Sequence, residues 1–292
     1  MNKLSMERRA AIVRCLSEGS SVRSTCRITG ASKATVLKLL VEVGEFCSLY
    51  QHHVLSDLPC TRIEADEIWA FCGAKAKNAK HLGQGDIWTF TAICADTKLM
   101  VSWLVGDRSA DSAHEFMHDV ASRLRRRPQI STDGHSMYLT AVESAFGYNG
   151  ADFGQVIKSY GAEKGIPAGR YSPAECTGIE KKVIYGNPDE KLISTSYVEC
   201  QNLNMRMSMR RFTRLTNGFS KKAENHAHAV GLYFMVYNFC KSHGTLTKAA
   251  KGVHTTPAMA AGVTNRVWTI ESLLSLMDDT AIIGDETPLQ SN

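Results

Sequence analysis

The stretch DIWTFTAICADTKLMVSWLV at residues 86–105 decides the fold. Its two halves, 86–95 and 98–105, are rich in β-branched and aromatic residues, which favour strands, and Asp96-Thr97 between them is typical of a turn. Further upstream, Thr61 to Ala65 alternate between polar and apolar residues and predict an earlier strand. We therefore expect three antiparallel strands in succession.

After residue 105 the spacing of apolar residues changes from that of a strand to that of a helix. Apolar positions recur at helical spacing from Ser109 to Arg126, and a short strand, Gln129 to Thr132, follows and ends at Asp133. Three antiparallel strands, a helix and a fourth strand are the order of a ribonuclease-H-like domain, although other α/β folds share that order. The expected fold class is therefore α/β, with the carboxylates left to decide the kind of domain.

The first 46 residues predict a small all-α domain. Three short helices are expected at 5–16, 22–28 and 32–46, with a glycine-containing turn at 29–31 before the last. This pattern is typical of a helix-turn-helix that would offer one group of side chains to a DNA groove: Ser32, Lys33, Thr35 and Lys38. A small three-helix bundle with no DNA-binding role would show the same pattern.

The rest of the chain divides by composition. Residues 47–60 are expected to be a linker, and residues 61–245 the catalytic domain. Glycines and prolines make 148–195 an expected irregular insertion within that domain, and 246–292 are expected to form a C-terminal tail and helix.

Charge is more informative by position than in total, because 34 basic and 29 acidic residues give a formal charge of only +5. Basic residues cluster at 123–127 (RLRRR) and at 206–222, where six Arg or Lys fall within seventeen residues. The second cluster predicts a phosphate-facing surface, carried by Arg206, Arg210, Arg214, Lys221 and Lys222. No apolar run reaches the length of a membrane span, and we expect a cytoplasmic protein with no membrane partner.

Three acidic residues are candidates for a metal site. Asp66 lies where the first strand is expected to end, Asp133 closes the fourth, and Glu199 begins a helix on which 203, 206, 210 and 214 share its face. Mg²⁺ prefers a few carboxylate oxygens and leaves positions open for water and phosphate. Taken singly, each acid has an ordinary explanation, because Asp favours turns and Glu favours helix N-termini.

Four motifs carry a resemblance to a known family. They are DEIW at 66–69, GDRS at 106–109, TDGH at 132–135 and the long block YVECQNLNMRMSMRRFTRLTNGFSKKAENH at 197–226. With these motifs the sequence resembles the insertion-sequence-one family of bacterial transposases, over essentially the whole chain.

The resemblance implies an Asp, Asp, Glu catalytic triad at Asp66, Asp133 and Glu199 that holds Mg²⁺ or Mn²⁺ as two ions. It also implies that Arg206 contacts DNA near the cut, that terminal inverted repeats and target DNA are the partners, and that a homo-oligomer works on DNA at the nucleoid. Glu67 belongs to the matching motif and is expected either to support the metal ligands from behind or to be structural.

Two features depart from the family pattern. Better-known members have an N-terminal cysteine zinc finger, which this sequence lacks, so recognition of the DNA ends is expected to differ. Glu199 lies 66 positions after Asp133, a longer separation than in compact members. Neither departure removes a catalytic acid.

Two other functions stay open. His114-Glu115-Phe116-Met117-His118 spells H-E-x-x-H, the helical motif of zinc peptidases, although both histidines are expected at the flank of their helix or in solvent. The other alternative is a transposase-derived DNA-binding regulator that has lost catalysis.

Overall fold

The protein has a mixed α/β fold with a six-stranded mixed sheet and several helices, seen in a computed structural model that describes residues 4–147, 149–161, 175–213 and 216–284. This confirms the expected α/β class. The chain divides into two compact units. The first comprises 1–56, 69–88 and 202–292, and the second 57–68 and 89–201.

The sheet has the strand order β3-β2-β1-β4-β5-β6. Its strands are β1 (Arg62–Cys72), β2 (Gly85–Cys94), β3 (Met100–Gly106), β4 (Gln129–Asp133), β5 (Asp152–Gly161) and β6 (Glu175–Tyr185). The centre is parallel, since β4 pairs in parallel with both β1 and β5, whereas β6 runs antiparallel to β5. Each strand predicted around the opening stretch is present, with ends that differ by one to seven residues.

Two helices of the second unit lie in sequence around β4. They are α4 (Ala110–Arg123) and α5 (Met137–Phe146). The predicted apolar face of α4 is buried, and the Phe116 ring packs 5.5 Å from that of Phe90 on β2. Burying one such ring contributes roughly 2–3 kcal/mol, so this contact helps to fix the helix on the sheet.

Three helices form the start of the first unit, as the sequence predicts: α1 (Met6–Ser17), α2 (Val22–Thr29) and α3 (Lys33–Val54). Ser5, Ser21 and Ser32 cap them with their side chains, and Gly30 ends α2 in the left-handed region at φ 68°. Helix α3 extends through much of the segment that we expected to be a linker, because no helix breaker follows Phe46.

The long α3 packs closely against α7 (Ala223–Met235). A Cβ atom on Gly44 would lie 2.4 Å from the backbone oxygen of His228, so only glycine permits this crossing. The buried amide of Gln51 donates to the Gly231 carbonyl at 3.2 Å. The extension of α3 beyond residue 46 is therefore stabilised by tertiary packing.

The remaining helices are α6 (Ser196–Ser208), α8 (Gly244–Ala249), α9 (Pro257–Ala260) and α10 (Ile270–Gly284). Arg9 of α1 forms an ion pair with Asp278 of α10 at 2.6 Å. Among the described residues, no helix is both long enough and apolar enough to cross a membrane.

The structure corrects two sequence predictions. Residues 148–195 are not irregular throughout, because 152–161 and 175–185 form two strands of the sheet, while 148 and 162–174 lie outside the described residues. The helix that carries Glu199 ends at Ser208, and Arg210–Phe212 form a separate 3₁₀ turn. The predicted helical stripe from 199 to 214 is therefore wrong beyond Ser208.

Candidate active site

The candidate site begins where β1 and β4 lie side by side. Ala65 pairs with Thr132, so the next residue of each strand, Asp66 and Asp133, is also adjacent. With Glu67 they offer carboxylate oxygens that all lie within 4.8 Å of one another. Asp66 lies within β1, which continues to Cys72, and not at its end as the sequence suggested.

Glu67 is neutralised by the protein itself. Its side chain is almost fully buried, and the Arg108 guanidinium donates to Oε1, with Nε at 2.8 Å. The hydroxyl of Tyr138 on α5 donates to Oε2 at 2.8 Å. These bonds hold Glu67 beside Asp66 and Asp133 and compensate its charge.

Glu199 lies in the first turn of α6 and has its own partners. The Lys158 ammonium on β5 contacts Oε1 at 2.5 Å and Oε2 at 2.6 Å, and the Thr195 hydroxyl also donates to Oε1. Of the three predicted catalytic acids, the structure groups Asp66 with Asp133, whereas Glu199 falls outside that cluster of described carboxylates.

Glu64 fixes the start of α6. Its buried carboxylate accepts the backbone N–H groups of Tyr197 at 2.7 Å and Val198 at 3.1 Å. The first N–H groups of a helix have no partner inside the helix, so a carboxylate placed there stabilises the helix end. Because Glu64 and Asp66 lie two residues apart on β1, the strand that carries Asp66 also anchors the helix that carries Glu199.

Two pKa shifts record the charge of this region. Burial raises the pKa of Tyr138 well above its usual value, and the charges of Glu67 and Asp66 add to the rise. Burial lowers the pKa of Lys158, but its bond to Glu199 and the charges of Glu199 and Asp66 outweigh this effect, so the net shift is upward. Both shifts thus include a contribution from the nearby carboxylates, and the charged form of Lys158 is stabilised.

The donor set suits a hard divalent cation. All three clustered ligands are carboxylate oxygens, which Mg²⁺ and Mn²⁺ prefer, and no cysteine or histidine belongs to the cluster of described residues. Asp66 and Asp133 are the natural ligands, because Glu67 is already bonded to Arg108 and Tyr138.

A second charged feature lies within the first unit. A cleft of about 600 Å³ is lined by six basic residues and, among the described residues, by no acidic one. We call it the basic cleft and define it by Arg23, Lys33, Arg210, Arg211, Lys221 and Lys222. None of the six forms an ion pair with a described carboxylate.

The basic cleft contains four of the nine residues predicted to bind DNA: Lys33, Arg210, Lys221 and Lys222. Arg206 lies on α6, Lys38 pairs with Glu42 at 3.6 Å, and Ser32 caps α3 by accepting the N–H of Thr35. Arg214 lies outside the described residues.

Arg211 and His226 share one hydroxyl beside the basic cleft. Arg211 Nη1 donates to Ser220 Oγ at 3.0 Å, and the same oxygen lies 2.8 Å from Nδ1 of the buried His226. Burial lowers the pKa of Arg211. Burial, with the charge of Arg211, lowers the pKa of His226 to about 3. His226 is therefore neutral at ordinary pH.

The first basic cluster, at 123–127, behaves differently. Arg123 pairs with Asp119, Arg125 with Asp57 and Arg127 with Asp152, at 2.6–2.7 Å. Three of the four arginines in this run therefore serve internal ion pairs, and only Arg126 has no ion pair with a described carboxylate.

The H-E-x-x-H histidines lie at the flank of α4. His114 Nε2 is 3.3 Å from the Thr140 hydroxyl, and His118 Nε2 is 3.0 Å from that of Ser144, both on α5. Neither histidine belongs to a group of three or more potential ligands in the part of the chain that the structure describes. The arrangement gives a zinc peptidase no support.

Several residues that shape the site were not predicted from the sequence. Arg108 lies in the GDRS motif, which offered a signal, but its bond to Glu67 depends on the fold. Lys158 had no signal, because its strand was expected to be irregular. Glu64 resembled any alternating strand residue.

The comparisons with known proteins add no identification. No protein-family model matches the chain, and no curated protein matches its sequence significantly.

Proposed function

We propose that the protein is a transposase of the insertion-sequence-one type, which cuts and joins DNA with metal held by Asp66, Asp133 and Glu199. The observation that carries the proposal is the adjacency of Asp66 and Asp133 on neighbouring parallel strands. Oxygens of these two side chains and of Glu67 all lie within 4.8 Å of one another. Three parallel strands, β1, β4 and β5, with β2 and β3 between β1 and β4 in sequence, support a ribonuclease-H-like domain.

Asp66 and Asp133 would hold the first Mg²⁺ or Mn²⁺, and Glu199 would complete the set. When bound, such ions activate water or a 3′-hydroxyl and offset charge on the phosphate during in-line displacement. Arg108 and Tyr138 keep Glu67 fixed beside the ligands. Glu64 holds the first turn of α6, which positions Glu199.

The basic cleft supports a polyanionic partner. Its six basic residues have no carboxylate partners among the described residues, so phosphate groups would supply negative charge. Its position between residues of α2, α3 and the segment 209–222 supports a role for the helix-turn-helix region in holding DNA. We propose terminal inverted repeats and target DNA as the partners, bound by a homo-oligomer at the nucleoid.

A catalytically inactive DNA-binding regulator is the second candidate. It is favoured by one observation, the bond of Glu199 to Lys158, which leaves Glu199 outside the carboxylate cluster. The two candidates share DNA binding and differ in strand cleavage.

Strand cleavage and strand transfer on a supercoiled plasmid that carries the element's own ends test the proposal. Asp66→Asn and Asp133→Asn should bind DNA normally but lose activity by a factor on the order of 1,000, because each removes negative charge that the reaction needs. Asp111→Asn, the same change at an exposed position of α4, is the matched control and should remain active. Cleavage by the folded Asp66 and Asp133 variants contradicts the site, and binding without cleavage by the wild type favours the regulator.

A further inference from the structure

Lys158 is bonded to Glu199, the carboxylate that the proposed metal site requires. Its Nζ contacts both oxygens of Glu199, at 2.5 and 2.6 Å, so a metal ion that binds Glu199 has to compete with the ammonium for these oxygens. The Thr195 hydroxyl adds a bond to Oε1. Glu199 is therefore held by protein donors on both sides.

The strand register explains why a cation lies there. Val156 of β5 pairs with Asp133 of β4, and Lys158 follows two residues later, on the same face of β5. The charge of Asp66 also acts on Lys158. The ammonium thus lies in the combined negative field of Asp66 and Glu199, where a divalent cation would also be attracted.

The Lys158–Glu199 ion pair is strong enough to compete with a metal ion but weak enough to be displaced by one. The side chains of Lys158 and Glu199 keep 28% and 40% of their surface exposed, so water screens the attraction and a flexible lysine can turn away. By comparison, Glu67 keeps only 1% exposed in its pair with Arg108. Exchange at Glu199 is therefore easier than at Glu67.

We propose that Lys158 is an internal competitor of the metal ion: it pairs with Glu199 in the metal-free protein and must leave that carboxylate before metal is bound by the complete set of ligands. Lys158 is a positioning residue, since it acts through Glu199. The inference rests on the metal site of the proposed function. By itself, the Lys158–Glu199 pair would suggest an inactive protein. In the proposed role, the pair instead controls metal binding.

Mn²⁺ titration followed by electron paramagnetic resonance tests the proposal without DNA and without any activity assay. Lys158→Met removes the competing charge and should bind Mn²⁺ roughly three- to fivefold more tightly than the wild type, the upper part of the range expected for release of a half-exposed ion pair. Lys158→Arg retains the charge and should bind as weakly as the wild type. Lys182→Met, at an exposed position on β6, is the matched control and should leave the affinity unchanged.

A double variant separates competition at Glu199 from a general field effect. If Lys158 acts through Glu199, adding Glu199→Gln should remove the gain of Lys158→Met. A gain that persists in the double variant overturns the proposal, as does an unchanged or weaker affinity of Lys158→Met. In those cases Mn²⁺ binding by the wild type still supports the proposed function. If no variant that retains the wild-type circular dichroism spectrum binds Mn²⁺, both the competition and the metal site are wrong.

Discussion

The carboxylate site of the second unit and the basic cleft of the first concentrate opposite charges, but the protein treats them differently. Near the carboxylates, Arg108 compensates Glu67 and Lys158 compensates Glu199. In the basic cleft, none of the six basic residues has a described carboxylate partner. The protein's own cations thus partly neutralise the acidic site, whereas the described residues supply no such counter-charge to the basic cleft.

The difference between these two regions bears on how a run of basic residues in a sequence is interpreted. Residues 123–127 and 206–222 are both basic runs in sequence, yet Arg123, Arg125 and Arg127 of the first run are paired internally. Since an arginine with a bidentate carboxylate partner has less to gain from phosphate, only the second run indicates a nucleic-acid surface. The presence of a counter-charge, which depends on the fold, decides between the two.

The largest expected effect tests the internal neutralisation of the acidic site. Arg108→Met should lower the free energy of unfolding by about 3 kcal/mol, because it leaves the buried Glu67 carboxylate without its cation. Urea denaturation measures the change. The double variant Arg108→Met with Glu67→Gln should recover part of the loss. A stability equal to that of the wild type in Arg108→Met would show that Glu67 does not need this partner.

The next effect tests the basic cleft. Lys221→Gln with Lys222→Gln should weaken duplex DNA binding roughly tenfold to thirtyfold and reduce the salt slope of log K by about 2, one for each lost phosphate contact. Fluorescence anisotropy at several salt concentrations measures both quantities.

The matched control for the basic cleft is Arg125→Gln with Arg127→Gln, which removes the same number of charges from the paired cluster. It should leave DNA affinity and salt slope close to those of the wild type. Equal losses of DNA affinity in the two double variants would contradict the conclusion that only the unpaired basic run binds DNA.

The smallest expected effect is a pH dependence beside the basic cleft. The pKa of His226 is lowered to about 3, below the roughly 6.5 of an unfolded histidine, so the unfolded chain binds an extra proton between these values. Stability from this group is present above about pH 6.5 and is lost as the pH falls, by at most about 1.4 kcal/mol per pH unit.

His226→Gln offers Ser220 an amide in place of the imidazole but cannot titrate. Urea denaturation between pH 4.5 and 6.5 should therefore show a shallower pH slope for the variant than for the wild type. Parallel slopes would mean that His226 is not held neutral by the fold.

The sequence determined much of the local structure. The content of strand-forming residues at 86–105 predicted strands, and helical spacing at 109–126 predicted a helix because that period places apolar residues on one face. The glycine-containing turn predicted before the third helix is also present, with Gly30 in the left-handed region and Ser32 as the cap of α3. The domain boundaries and the catalytic and DNA-binding roles remain predictions, based on motifs that the sequence presents directly.

Other features were decided by tertiary structure alone. Strand β5 contains Gly154 and a polar end, and its pairing with β4 and β6 makes it a strand. At Gly154 a Cβ would lie 2.5 Å from Ile193, a contact that sequence cannot reveal. The pairing of Lys158 with Glu199 joins residues 41 positions apart. Local periodicity is encoded in neighbouring residues, but charge compensation depends on which distant strands and helices the fold brings together.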